Sequence, residues 1–150
     1  AAKSTTTTTK AKDFPLTPDG VAQHLADAGL GCTDFVPQID DPTKTKTTLA
    51  PEPVSAMGSC TVDGTHLTIT VFGSKSDEDM ASAQLKTIYA LVAKSFGITQ
   101  LTYIHAGKDD RIWLSVSKES GGDKGVTPEQ EALLNKVAKG LNGKVVKVDL

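Results

Sequence analysis

Cys32 and Cys60 are the two cysteines of a 150-residue chain, one closing the helix-like segment LADAGLGC and the other inside the strand-like segment SAMGSCTVDG. Their spacing matches no metal-ligand pattern, and without a Cys-x-x-Cys there is no local geometry to lower a thiol pKa. A structural disulfide is therefore the reading that fits. Such a bond ties the end of an opening helix to the first strand of a sheet, which removes most of the ways the N-terminal third could be arranged. In the chain-entropy model it stabilises the fold by about 3–4 kcal/mol, against the ~5–15 kcal/mol typical of a whole domain. The alternative is two unpaired buried thiols packing as small hydrophobes. Structural disulfides persist in oxidising surroundings, so the expected location is extracytoplasmic, either secreted or attached to the outer side of a cell membrane.

Residues 1–13 hold no apolar side chain larger than alanine and include five consecutive threonines, Thr5 to Thr9. Such a segment cannot repay the entropy of ordering its backbone, and it reads as a disordered tether. Residues 14–150 are then expected to form one α+β domain, a length that can bury a single core. Within it, QIDDPTKTKTTLAPEP from Gln38 to Pro53 reads as a long loop pinned at both ends by the disulfide. The net charge of −2 is too small to track a phosphate backbone, so nucleic acid is not an expected partner. No apolar run approaches the ~20 residues that cross a bilayer, and no signal peptide stands in the chain.

The remaining punctuation is regular. Thr17 and Pro18 give an N-cap and a first-turn proline, Leu16 and Val21 suit a hydrophobic staple, and Gly29 ends a short helix. Leu67, Ile69 and Val71 alternate with His66, Thr68 and Thr70, a strand with one apolar face, and Asp63-Gly64 suits a tight turn from the Cys60 strand. A longer helix is predicted from about Asp77 to Phe96, with Ala81, Leu85, Ile88 and Val92 on one face and Asp77, Glu78 and Asp79 at the positive end of its dipole. Strands follow over Gln100–Ala106 and Arg111–Ser117, joined by GKDD. Thr127, Pro128 and Gln130 begin a last helix lined by Leu134, Val137, Ala138 and Leu141, with Gly143 as its C-cap. A final strand, KVVKVDL, places Val146 and Val148 on one face. From about residue 65 the order is βαββαβ, as in ferredoxin-like folds. The expected architecture is a two-layer antiparallel sheet with helices on one face, plus an N-terminal helix and strand.

Catalytic and metal-binding signatures are missing: no His-Glu-x-x-His, Gly-x-Ser-x-Gly, phosphate-cradling loop or EF-hand is present. No catalytic residue, cofactor or metal is expected. His66 and His105 can face the same way across a sheet as a metal pair, but no third ligand stands at a suitable spacing. Ser59 has no base or oxyanion donor supplied by a motif. The acids at 77–79 with Asp109 and Asp110 are accounted for as a helix start and a turn.

Trp113 stands apart. In RIWLSVS the alternation turns Ile112, Leu114 and Val116 toward the helices and leaves Trp113 on the polar face. There it is expected either to be covered by the opening helix or the long loop, or to form an exposed recognition surface with Tyr103 and His105.

The series LADAGLGC, GSCTVDG, LTITVF with an acidic helix start, the Trp113 strand and the closing LNGKVV resembles a group of small exported proteins and lipoproteins common in actinobacteria, over about Thr17 to Val146. Two differences are that no cysteine precedes the tether and that KDDRIW stands where a glycine-led turn is expected. The resemblance implies a cleaved signal and a polar tether carrying an N-terminal lipid from outside this chain, with no functional residue to carry over. The expected function is a non-catalytic cell-envelope or secreted binding domain whose partner is a protein or another envelope component. The alternatives are a small secreted hydrolase working near Ser59, His66 and the acidic helix start, and a phage-derived envelope protein that blocks a partner.

Overall fold

In the computed structural model, which describes residues 15–38, 55–89, 91, 95, 97, 100–117, 120, 121 and 125–149, the chain folds on one six-stranded antiparallel sheet. The strands are β1 (Thr33–Gln38), β2 (Ser55–Val62), β3 (Thr65–Phe72), β4 (Gln100–Ala106), β5 (Ile112–Val116) and β6 (Lys144–Asp149). The helices are α1 (Pro18–Asp27), α2 (Lys75–Gln84) and α3 (Pro128–Gly140). The expected tether and long loop lie outside the described residues. Among the described residues, no helix is long and apolar enough to cross a membrane.

The sheet order is β1-β2-β3-β5-β4-β6. The chain order from β3 onward is βαββαβ as expected, but the last strand does not flank the first of the four, where a ferredoxin-like sheet would put it. That edge of β3 is taken by β2, paired along all eight residues through the turn at Asp63 and Gly64, both with positive φ. β6 is left to the far edge, where it pairs with β4 from Gln100↔Asp149 to His105↔Lys144.

One face of the sheet is the core. Cys60, Val62, Leu67, Ile69, Val71, Ile104, Ala106, Ile112, Leu114 and Val116 meet Val21, Ala22 and Leu25 of α1 and Leu133, Leu134, Val137 and Ala138 of α3. Both helices begin as their sequences dictate. The Thr17 hydroxyl accepts from Gly20 N at 3.1 Å. Thr127 and Gln130 form a reciprocal capping box at 3.0 and 3.2 Å. His24 Nε2 lies 2.9 Å from the Gly140 carbonyl oxygen and joins the two helices. α3 ends differently from the expectation. Leu141 is the C-cap, Asn142 takes the left-handed conformation at φ 56°, and Gly143 is needed for space, since a Cβ there would press on Ala106 and the His105 carbonyl.

Cys32 and Cys60 are bonded, with Cα atoms 5.5 Å apart. Cys60 is buried in the core and Cys32 packs at its margin. The segment after Cys32, where no element is predicted, is β1, and its last residue, Gln38, is the first of the expected long loop. It pairs with β2 through a bulge between Thr33 and Val36, and Asp34 has φ 54°. Pro37 is accommodated because β1 is an edge strand.

α1 and α3 give the two-layer body. α2 differs from them in packing against β3 and the turn at Lys108–Asp110 and in bringing charge to the opposite face of the sheet. It is capped by Ser74, whose hydroxyl accepts from Asp77 N at 3.2 Å, and begins at Lys75, two residues before the predicted start. It passes into a π-helical turn at Leu85–Tyr89. Val92 and Phe96 of the predicted helix lie outside the described residues.

Two outcomes follow from these contacts. Reduction of Cys32–Cys60, or Cys60→Ala with Cys32→Ala, lowers the unfolding free energy by about 3–4 kcal/mol, measured as the shift in urea midpoint at constant m-value. Thr127→Ala removes the hydroxyl from the capping box and costs about 1 kcal/mol in the same titration, with the fold retained by circular dichroism.

Candidate functional site

The second face of the sheet follows from its register. Thr70 and His105 both lie opposite Trp113 on the central strand β5, and since side chains alternate along a strand, Phe72, Tyr103, His105 and Trp113 project to the same side. Four rings meet there. The Phe72 ring stands edge-on to Trp113 with centroids 4.7 Å apart. Tyr103 is tilted against Trp113 at 5.0 Å and edge-on to His105 at 5.0 Å. His105 stacks on the indole at 5.4 Å with 17° between planes.

The three residues expected to share a surface are thus together, but as a packed cluster. Tyr103 is buried and Trp113 is half-buried. The expectation that the opening helix covers Trp113 is corrected, because α1 packs against the core face. The long loop, the other expected cover, lies outside the described residues.

Charged groups surround the rings. Glu78 of α2 is 3% exposed, and its carboxylate accepts from Lys75 Nζ at 2.9 Å and from the Ser82 hydroxyl at 2.9 Å. Lys75 also reaches Asp79 at 2.9 Å, and its hydrogen bonds to Asp79 and Glu78 push the ammonium pKa up. The acids at 77–79 therefore serve as helix caps and ion-pair partners. Arg111 fixes the exit from β3, donating from Nε to the Phe72 carbonyl and from a terminal nitrogen to the Gly73 carbonyl, both at 2.9 Å. The turn between β4 and β5 places Asp109 and Asp110 in left-handed conformations and brings Asp110 Oδ2 to 3.8 Å from His105 Nδ1.

Two atoms in the cluster have no partner among the described residues. Trp113 Nε1 and His105 Nε2 are both buried without a hydrogen bond, and a buried polar group left unsatisfied costs about 1–3 kcal/mol. Burial pushes the His105 imidazole below its ordinary 6.5, opposed by the negative charges of Asp110 and Glu78. Burial, followed by the Glu78 charge, pushes the Tyr103 phenol up. His105 is accordingly neutral at pH 7.

Other residues weighed in the sequence are dispersed. His66 accepts or donates at Nδ1 to the Thr61 hydroxyl at 3.2 Å, and it sits four residues along β3 from Thr70, about 13 Å of strand from the level of His105. The two histidines cannot share an ion. Among the described residues, no group of three or more His, Cys, Asp or Glu side chains is arranged to hold a metal. Ser59 lies opposite Thr68 on β2, and no hydrogen bond joins it to His66 among the described residues.

Sequence reasoning missed Phe72 as a neighbour of Trp113, and Glu78, Lys75 and Asp110 as the charges that act on His105. Phe72 carried a signal: two bulky apolar residues in succession, Val71 and Phe72, break the alternation of β3, so one must point away from the core. The chain matches no protein-family model, no curated protein and no solved structure.

The imidazole sets a pH dependence. Its folded pKa lies below the unfolded value of about 6.5, so the unfolded chain binds more protons between the two. This contribution to stability is complete above about pH 6.5 and is lost as pH falls toward the folded value. Urea titrations at a series of pH values should show stability declining below that point, with a shallower decline in His105→Gln.

Proposed function

We propose that this chain is a non-catalytic binding domain of the cell envelope or of the secreted fraction, taking a protein or another envelope component at the sheet face that bears Trp113, Tyr103 and His105. The observation that carries the reading is the indole N–H of Trp113, a hydrogen-bond donor held in an aromatic cluster with no acceptor among the described residues. Unpaired buried donors are scarce in folded proteins, and a ligand acceptor is one way to satisfy them. Trp and Tyr are also the side chains that dominate binding surfaces, because they combine a large apolar area with a polar tip.

The extracytoplasmic half of the proposal rests on the Cys32–Cys60 bond, which is compatible with an oxidising compartment. Display at a membrane through an N-terminal lipid carried outside this chain, and kinship with the small exported actinobacterial proteins it resembles, belong to the same proposal.

Immobilised wild-type protein and Trp113→Ala are to be challenged in parallel with envelope and cytosolic fractions. A component captured from the envelope by wild type and lost with Trp113→Ala is the expected result. Equal capture by both proteins removes this face as the binding surface, and capture from the cytosolic fraction alone removes the compartment.

A further inference from the structure

The stack of His105 on Trp113 has the wrong hydrogen-bonding environment for a cation. The neutral ring carries one proton, and Nδ1 faces Asp110 Oδ2 at 3.8 Å while Nε2 is buried with no partner among the described residues. Whichever nitrogen holds that proton in the neutral form, the imidazolium has two N–H groups. One then points into the cluster with nothing to receive it, and the other is aimed at a carboxylate slightly too far away to accept it. Movement toward Asp110 relieves both conditions, since Asp110 is 42% exposed and lies in the direction of solvent.

We propose that His105 is a proton-operated cover for Trp113: protonation draws the imidazolium toward Asp110, off the indole face, and opens that face and its Nε1 donor to a ligand. Every neighbouring element bears on the ring. Asp110 faces it from the turn after β4, Glu78 and Lys75 from α2, Lys144 from the opposing position on β6, and Tyr103 from β4 itself. β5 contributes Trp113, which does not titrate. The two lysines oppose the cation and the two carboxylates favour it, and of the carboxylates Asp110 is the one not already engaged by a lysine and a serine. Asp110 therefore sets the direction of movement.

The role rests on the binding reading only for what the opened indole then does; the movement itself is a property of the free protein. Trp113 is the single tryptophan, so acrylamide quenching of its fluorescence reports the cover directly. Between about pH 8 and pH 5, where a histidine changes charge, quenching of the wild type should rise and the emission maximum should shift to the red. His105→Phe, which keeps a ring on the indole and removes the titration at this position, should show neither change. Asp110→Asn should reduce the change. Far-UV circular dichroism should hold constant throughout.

An unchanged wild-type signal overturns the switch, as does an equal rise in His105→Phe or a rise that tracks loss of circular dichroism. Envelope capture at the two pH values separates this proposal from the one it builds on. Trp113-dependent capture of equal strength at both, with quenching altered, overturns the gating and leaves the binding reading intact. Capture at neither, with quenching altered, overturns the binding reading and leaves the proton-driven movement standing.

Discussion

The Cys32–Cys60 bond joins the N-terminal segment to the strand that lies beside β3. It holds the segment after α1 against β2, so that β1, β2 and β3 form one antiparallel run at one side of the sheet. With β2 in place, β3 has no free edge for β6, and the closing strand must cross to β4. The same arrangement seats α1 on the core face beside α3, where His24 and the Gly140 carbonyl join them. The β2–β3 hairpin thus selects the position of the C-terminal strand. It does so by occupancy of a hydrogen-bonding edge, not by direct contact.

Local chemistry was the legible part of the sequence. Thr17 with Pro18, Asp63 with Gly64, and Thr127 with Gln130 each carry a short-range signal strong enough to place an element boundary, and the α+β class and chain order of elements follow from them. β1 was hidden because Asp34 and Pro37 argue against a strand, and only an edge position with a bulge accommodates both. Strand order was hidden because it depends on which edge is already occupied, a property of the assembled sheet that no window of sequence contains. Asn142 in place of Gly143 at the left-handed position is a smaller case of the same kind. Either residue satisfies the local rule, and the crowding of Gly143 against Ala106 decides between them.

The site divides along the same line. Alternation in β5 was enough to put Trp113 on the face away from the core, and to group it with Tyr103 and His105. What lies against those rings was not legible. Glu78 reads in sequence as one of three acids at a helix start, yet α2 turns it inward, where Lys75 and Ser82 hold its charge and its field reaches both Tyr103 and His105. The helix periodicity that identifies α2 says nothing about which face of the sheet receives it.

An open sheet of six strands ends in two rims of unpaired backbone donors and acceptors, the usual template for fibril-like stacking of one molecule on the next. β1 and β6 form those rims. On one, Pro37 deletes a donor and the bulge at Thr33–Val36 twists the backbone away from a flat approach. On the other, the exposed Lys144 and Lys147 set like charges against any second copy that lines up alongside. The residues that made β1 hard to recognise as a strand are of the kind that blunt an edge as a template for a second copy.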